Sequence, residues 1–180
     1  MLPDIYGWSL TVLAALAVAA IAAAACVARS CARACRRGGR RAFRGLCVAL
    51  LAVLAAGSVV AVLGYTVLGR EPTGGHRFAW FMDPAHNEFV REMFMNALLY
   101  VPLGVCLPFL LSLAPRLGAR RWLPFALSVL LAFALSAGIE AWQYLAGTGL
   151  SQGSDVLCNT LGAAVGGLAY LGAKRGRGKP

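Results

Sequence analysis

Several polar side chains in the apolar second half of the sequence carry groups that could do acid–base or hydrogen-bonding chemistry. Glu140 is followed by Gln143, and Asp155 is followed by Asn159. Residues three or four positions apart share one face of a helix, so each pair presents a carboxyl group beside a carboxamide. Two carboxyl groups in a site of low polarity are a frequent arrangement for general acid–base catalysis. Glu140 and Asp155 are therefore the candidate catalytic residues.

Neighbouring amide and phenol groups are suited to holding a ligand. Asn96 and Tyr100 lie one helical turn apart, and Gln143 and Asn159 share the faces of the two acids. These four are candidate ligand-binding residues because they can donate and accept hydrogen bonds. Polar residues also hold membrane helices together, and an Asp at the start of a helix caps it. For Asp155 and Asn159, capping and packing explain the residue types as well as function does.

The elements that position these groups are long apolar runs. Of the 180 residues, 59% are apolar and 13% are charged, whereas a soluble domain carries about 25% charged residues. Each run is about as long as a helix that spans a bilayer. The composition predicts an all-α, polytopic membrane protein built as a five-helix transmembrane bundle. The five predicted spans are Ile5–Ala28, Leu46–Leu68, Asn96–Leu113, Trp122–Leu145 and Val156–Leu171.

Positive charges alternate between the gaps that separate the runs. The formal net charge is +10, and most of the 17 Lys and Arg residues lie in the first gap, in the third gap and after the fifth run. Cytoplasmic loops carry an excess of such residues, so the pattern predicts an outer N-terminus and a cytoplasmic C-terminus. The polar side chains then lie at one depth, towards the outside. Topology accounts for the basic composition, and no nucleic-acid partner is expected.

Cysteine and histidine side chains are the usual ligands of a metal centre, but their spacing here does not favour one. Cys26, Cys31 and Cys35 lie among arginines and lack the paired spacing of zinc ligands. His86 has acidic neighbours, which is weak support for a metal site. We therefore expect no metal ion and no cofactor, and we interpret the cysteines as small apolar residues.

Three blocks of sequence, taken in order, resemble the VanZ-like family of bacterial polytopic membrane proteins. They are NALLYVPLG at residues 96–104, GIEAWQ at 138–143 and SDVLCNTLGA at 154–163. The resemblance covers roughly residues 83–171. We therefore divide the chain into two N-terminal helices with their loops at 1–82, a VanZ-like three-helix segment at 83–171 and a basic cytoplasmic tail at 172–180.

The resemblance implies a multi-pass protein of the bacterial plasma membrane that acts in the cell envelope. The founding member of the family is associated with low-level resistance to the glycopeptide teicoplanin. Many relatives carry an arginine several residues before the Asp of the third block. Residues 147–152 contain no cation here, and Gln152 is expected to replace part of that role through hydrogen bonds.

The function favoured by these observations is binding of an amphiphile at a polar site near the extracytoplasmic surface. The amphiphile would be a membrane lipid, a cell-wall precursor or the lipid tail of a glycopeptide. One alternative is an intramembrane hydrolase or transferase that uses Glu140 as general acid or base. A second alternative is a small proton-coupled transporter. The sequence leaves open whether a reaction is catalysed and what the oligomeric state is.

Overall fold

The structure, a computed structural model, describes residues 41–67, 75–81, 89–148 and 150–175. Helices account for most of these residues, which confirms the predicted helical class. The predicted first span, Ile5–Ala28, lies outside the described residues, as does the arginine-rich segment 29–40. The described helices are α1 (Arg41–Thr66), α2 (Phe89–Leu111), the short α3 (Pro115–Gly118), α4 (Trp122–Ala146) and α5 (Gly153–Arg175).

Four of these helices are long and apolar enough to cross a membrane, and each coincides with one predicted span. The qualifying stretches are Cys47–Gly64, Val90–Leu111, Trp122–Ala146 and Gly153–Arg175. Helix α2 begins at Phe89, earlier than predicted, because the charged residues Arg91 and Glu92 continue the helix instead of preceding it. Asn96 consequently lies about two turns inside α2 and not at its first residue.

Helices α2 and α5 are the most closely packed pair of described helices, because glycines at their contact have no side chains to hold the backbones apart. A Cβ atom built on Gly162 would overlap the carbonyl oxygen of Ala97. One built on Gly104 would overlap the carbonyl oxygen of Ala163, and Gly166 is equally confined. In lipid, van der Waals contact and not water exclusion drives helices together, and small residues allow the backbones to approach. The Gly162–Gly166 spacing therefore sets the α2–α5 contact.

The remaining helices pack around this pair and expose apolar side chains outwards. Tyr100, Cys106 and Ala132 are buried in one core with Val62 of α1. Large apolar residues such as Leu130 and Leu168 remain exposed on the surface of the bundle. An apolar exterior around a buried core is what a hydrocarbon solvent requires, so the packing agrees with membrane insertion.

A two-stranded parallel sheet lies where α4 ends and α5 begins. Strand β1 (Arg77–Ala79) pairs with β2 (Leu150–Gln152), and Phe78 lies opposite Ser151. The sequence analysis predicts helices alone, so this sheet is an unpredicted element. Three-residue strands leave almost no periodic signal, and parallel strands pair only when a longer connection brings them together. The N–H of Ser154, at the start of α5, donates to the carbonyl oxygen of Trp80 at 2.8 Å.

The two ends of the bundle differ in charge. By connectivity, α3, the start of α4 and the end of α5 lie opposite the sheet. This end carries Arg116, Arg120, Arg121, Lys174 and Arg175. Two of these cations stack on aromatic rings, with Arg121 at 5.2 Å from the centroid of Trp122 and Lys174 at 5.7 Å from that of Tyr170. The basic end is thus separated from the sheet by the full length of the helices.

The α2–α5 contact predicts opposite effects for two Gly→Ala substitutions in the same helix. Gly162→Ala should destabilise the protein by about 1–3 kcal/mol, because the new methyl group meets the backbone at Ala97. A Cβ at Gly172 meets nothing within 4 Å, so Gly172→Ala should be neutral or stabilising by up to about 1 kcal/mol through helix propensity. Thermal unfolding in detergent measures both changes. Equal stabilities of the two variants would contradict the packing.

Candidate functional site

A cavity of about 750 Å³ opens between α4 and α5 and reaches to the sheet. Its wall is mainly apolar and aromatic, and the polar groups on it come chiefly from Glu140 and strand β2. Since exposed faces of both helices form its rim, the cavity is a groove in the flank of the bundle. Its apolar lining includes Phe78, Trp80, Phe133, Ala137, Val156 and Leu157.

Glu140 connects the membrane-spanning part of the site to the sheet. Its side chain is only 8% exposed, and its Oε2 accepts a hydrogen bond of 2.7 Å from the backbone N–H of Gln152. The hydroxyl of Ser151 donates to the backbone oxygen of Glu140 at 3.1 Å. Two successive residues of β2 thus hold the last turns of α4. Gln152 acts through its backbone N–H, a contribution that no side-chain motif reveals.

Behind Glu140 lies a second set of polar groups, which we call the interior polar cluster: Tyr100, Ser136 and Asn159. The Nδ2 of Asn159 donates to the hydroxyl of Ser136 at 2.8 Å. Tyr100 is fully buried and lies close to Ser136 and Glu140. Within the described ranges, the Tyr100 hydroxyl and Asn159 Oδ1 are buried and make no hydrogen bond of good geometry. The cluster joins α2, α4 and α5 but does not line the cavity.

Gln143 faces α1 and not the cavity. Its Nε2 donates to the carbonyl oxygen of Thr66 at 2.7 Å, and the Thr66 hydroxyl donates to the carbonyl oxygen of Val62 at 2.6 Å. The last carbonyl groups of a helix have no partner within it, so Gln143 satisfies one of them at the end of α1. In this structure Gln143 connects two helices.

Asp155 and Asn96, two of the predicted site residues, lie away from the cavity wall. Asp155 is half-buried in the first turn of α5, where a negative charge interacts favourably with the helix dipole. Asn96 is half-buried on α2, one turn before Tyr100. Neither lines the cavity. The catalytic roles predicted for Glu140 and Asp155 stay predictions, and so do the ligand-binding roles of Asn96, Tyr100, Gln143 and Asn159.

Two aromatic residues that line the groove were not predicted as site residues: Phe78 of β1 and Trp80, which directly follows it. Phe78 and Trp80 alternate with Ala79, which is the period of a strand that presents one face. That alternation was the available signal, but it covers only three residues. His76 fastens the same segment to α4: its Nδ1 lies 2.6 Å from the carbonyl oxygen of Tyr144, and the two rings are 5.4 Å apart.

The residues considered as metal ligands in the sequence lie outside the part of the chain that the structure describes. His86 with its acidic neighbours, and Cys26, Cys31 and Cys35, all lie in segments that the structure does not describe. Among the described residues, Cys47, Cys106 and Cys158 are buried free thiols within membrane-spanning helices, where they pack as small apolar residues.

The fold and the groove together define a multi-pass helical membrane protein with a carboxylate in the wall of a lateral cavity. The sequence model of one family, VanZ/LLP1, matches residues 47–174. This range includes most of α1, all of α2 and α4, both strands, and α5 except its last residue. The chain therefore belongs to the VanZ/LLP1 family, as the three sequence blocks predicted. No curated protein and no solved structure matches the chain.

The hydrogen bond between Ser136 and Asn159 predicts energetic coupling between α4 and α5. Ser136→Ala and Asn159→Ala should each destabilise the protein, and the double variant should lose less than the sum. We expect a coupling free energy of about 0.6 kcal/mol, the average for such bonds between membrane helices. Unfolding in detergent of the four proteins of the cycle measures it. Strict additivity would show that the two side chains do not interact.

Proposed function

We propose that this VanZ-like membrane protein binds an amphiphile in the groove between α4 and α5. The observation that carries the proposal is the arrangement of the groove wall: Phe133, Ala137 and Leu157 line its length, and Glu140 lies where the sheet closes it. The apolar length would hold a hydrocarbon chain, and the end at the sheet would hold a polar headgroup. A volume of about 750 Å³ is typical of small-molecule sites.

The length of the groove fits a chain from one leaflet. Lining residues run along α4 from Phe133 to Tyr144, which corresponds to about 16 Å of helix. That is roughly half the thickness of the hydrocarbon core of a bilayer. A lipid that stands in its own leaflet could therefore lay one chain along α4 with its headgroup beside the sheet.

Glu140 is the group in the groove that most needs a functional explanation. Ionisable side chains inside membrane spans are expensive to bury and usually mark a binding or transport site. Glu140 is held by Gln152 in the wall of the groove, which fixes its direction. We assign it the role of headgroup acceptor. Tyr100 and Asn159 of the interior polar cluster would support α4 from behind without touching the ligand.

We further propose an orientation with the sheet on the extracytoplasmic side of the bacterial plasma membrane. Support comes from the five cations at the opposite end of the bundle and from the excess of such residues in cytoplasmic loops. The groove then opens to the outer leaflet, where cell-wall precursors and the acyl tail of a glycopeptide are found. A link to teicoplanin resistance, which the family implies, would follow from capture of such a tail.

Filling the groove should weaken binding without changing the polar end. In Ala137→Phe the new ring projects into the cavity, and overpacking of this kind typically costs about 1–3 kcal/mol. We expect retention of lipid to fall by about tenfold. Native mass spectrometry of protein in detergent with an equimolar mixture of phosphatidylethanolamine and phosphatidylglycerol measures the total lipid bound. Added teicoplanin should displace that lipid if a glycopeptide tail shares the groove.

The matched control is Ala134→Phe, one turn away on the same helix. Ala134 lines a separate groove of about 390 Å³ with Leu63 of α1 and Trp142. The control should retain lipid like the wild type. Equal retention by all three proteins would remove the proposed function.

Orientation is testable by thiol labelling of intact cells. In a background without native cysteines, Phe81→Cys beside the sheet should react with a membrane-impermeant maleimide added outside. Ala119→Cys, at the exposed basic end, should react only after the cells are permeabilised. The reverse pattern would place the groove in the inner leaflet.

A further inference from the structure

The loop between α2 and α4 presents three arginines at the end of the bundle opposite the sheet. Arg116, Arg120 and Arg121 are all exposed. Residues 112–121 contain no Asp or Glu, so the loop has no acidic side chain of its own to pair with them. Guanidinium groups recognise phosphate oxygens through two parallel hydrogen bonds. The loop therefore carries the side chains of an anion-binding surface.

Backbone hydrogen bonds give this loop a defined conformation. Directly after α2, the N–H of Ser112 donates to the carbonyl oxygen of Pro108 at 3.0 Å. The N–H of Gly118 donates to the carbonyl oxygen of Ala114 at 2.8 Å. A Cβ atom on Gly118 would overlap the carbonyl oxygen of Ser112, so the loop folds back on the end of α2. The arginines are thus held on a short, hydrogen-bonded support.

The acidic residues that the structure describes lie towards the other end of the bundle. Glu92 is in the first turn of α2, Glu140 is near the end of α4 and Asp155 is in the first turn of α5. These positions lie next to the sheet by connectivity, whereas the arginine loop follows the opposite end of α2. Among the described residues, negative and positive charges are therefore separated along the helices.

The end of α5 brings a further positive charge to the arginine loop. A Cβ atom on Gly167 would come within 2.8 Å of Cδ2 of Phe125, so α5 passes close to the first turn of α4. Arg175 follows Gly167 by about 12 Å of helix, and Arg121 precedes Phe125 by about 6 Å. The two helices are antiparallel, so both arginines lie on the same side of the contact. We call Arg175, which is exposed, and the three loop arginines the basic surface.

Apolar side chains stand beside the arginines where the spanning helices end. Leu113 is 44% exposed, and Trp122, the first residue of α4, is 56% exposed. The guanidinium group of Arg121 lies 5.2 Å from the ring centroid of Trp122. Tryptophan is enriched at membrane–water interfaces, at the level of the lipid headgroups. Cations next to exposed apolar groups suit a ligand that carries both a phosphate and hydrocarbon.

We propose that the basic surface binds an anionic phospholipid in the leaflet that surrounds this end of the bundle. The loop arginines would donate to the phosphodiester oxygens, and Leu113 and Trp122 would contact the upper part of the acyl chains. In a zwitterionic phospholipid the ammonium group would be repelled by the arginines. A nucleic acid has phosphate but no chains, and it would leave the apolar side chains uncovered. The interaction involves neither the groove nor Glu140.

Lipid selectivity measures the interaction. Protein in a polyoxyethylene detergent is titrated with equimolar phosphatidylglycerol and phosphatidylethanolamine that have the same chains, and native mass spectrometry gives the ratio bound. We expect phosphatidylglycerol to be enriched by about tenfold at low salt, because each cation near anionic headgroups contributes about fivefold. Salt at about 0.5 M should remove the enrichment, since exposed charges are then screened within a few Å. Lipid held by apolar contact in the groove should survive that salt.

Two variants with the same change in charge localise the selectivity. Arg120→Gln removes one cation of the basic surface and should lower the enrichment by about fivefold. Arg77→Gln is the matched control, because Arg77 is exposed in β1 at the other end of the bundle. It should behave like the wild type. Ala137→Phe, which alters the groove alone, should not lower the enrichment.

The outcomes separate a lipid site from general attraction to a basic protein. Equal binding of the two lipids, or equal loss of enrichment in Arg120→Gln and Arg77→Gln, would overturn the assignment. Displacement of phosphatidylglycerol by sodium phosphate or by a short oligonucleotide at equal phosphate concentration would also overturn it, because the surface would then bind an anion without chains. Loss of enrichment in Arg120→Gln and not in Arg77→Gln supports the lipid site, whatever Ala137→Phe does to the total lipid retained.

Discussion

The hydrogen bond from the N–H of Gln152 to the carboxyl group of Glu140 is the interaction on which the geometry of the site depends. It joins a residue inside a membrane span to a strand outside the helices, and it turns the carboxyl group towards the groove. Because the donor is a backbone group, the bond also sets the position of β2. Pairing with β2 then positions β1 and the aromatic rings that complete the wall.

The position of the sheet and of Glu140 depends on how α4 and α5 are held in the bundle. The α2–α5 contact fixes α5. Glycine at 104, 162 and 166 brings two backbones into direct contact, which fixes α5 and hence the start of the helix beneath the sheet. The interior polar cluster adds α4 to the pair through Ser136 and Asn159. In hydrocarbon, where apolar side chains gain little by leaving the solvent, close backbone packing and satisfied polar groups are what hold helices in place.

Hydropathy and the three sequence blocks were sufficient to predict the four described spans and the family, because a bilayer imposes length and polarity on every crossing. They also brought Glu140, Tyr100 and Asn159 to one region. They did not predict which polar side chains face the groove. Gln143 points to α1, and Asp155 lies in the first turn of α5. The strands were missed because their pairing depends on tertiary contacts between distant segments and not on local pattern.

The groove is open on the flank of the bundle, where Phe133 and Leu157 are about half exposed. A molecule that reaches it from this side travels within the bilayer and never passes through water. For the amphiphile proposed to bind here, the relevant concentration is its mole fraction in the leaflet. A dissociation constant that looks weak in bulk units can then correspond to nearly full occupancy, and occupancy would follow changes in lipid composition before any change in the surrounding medium.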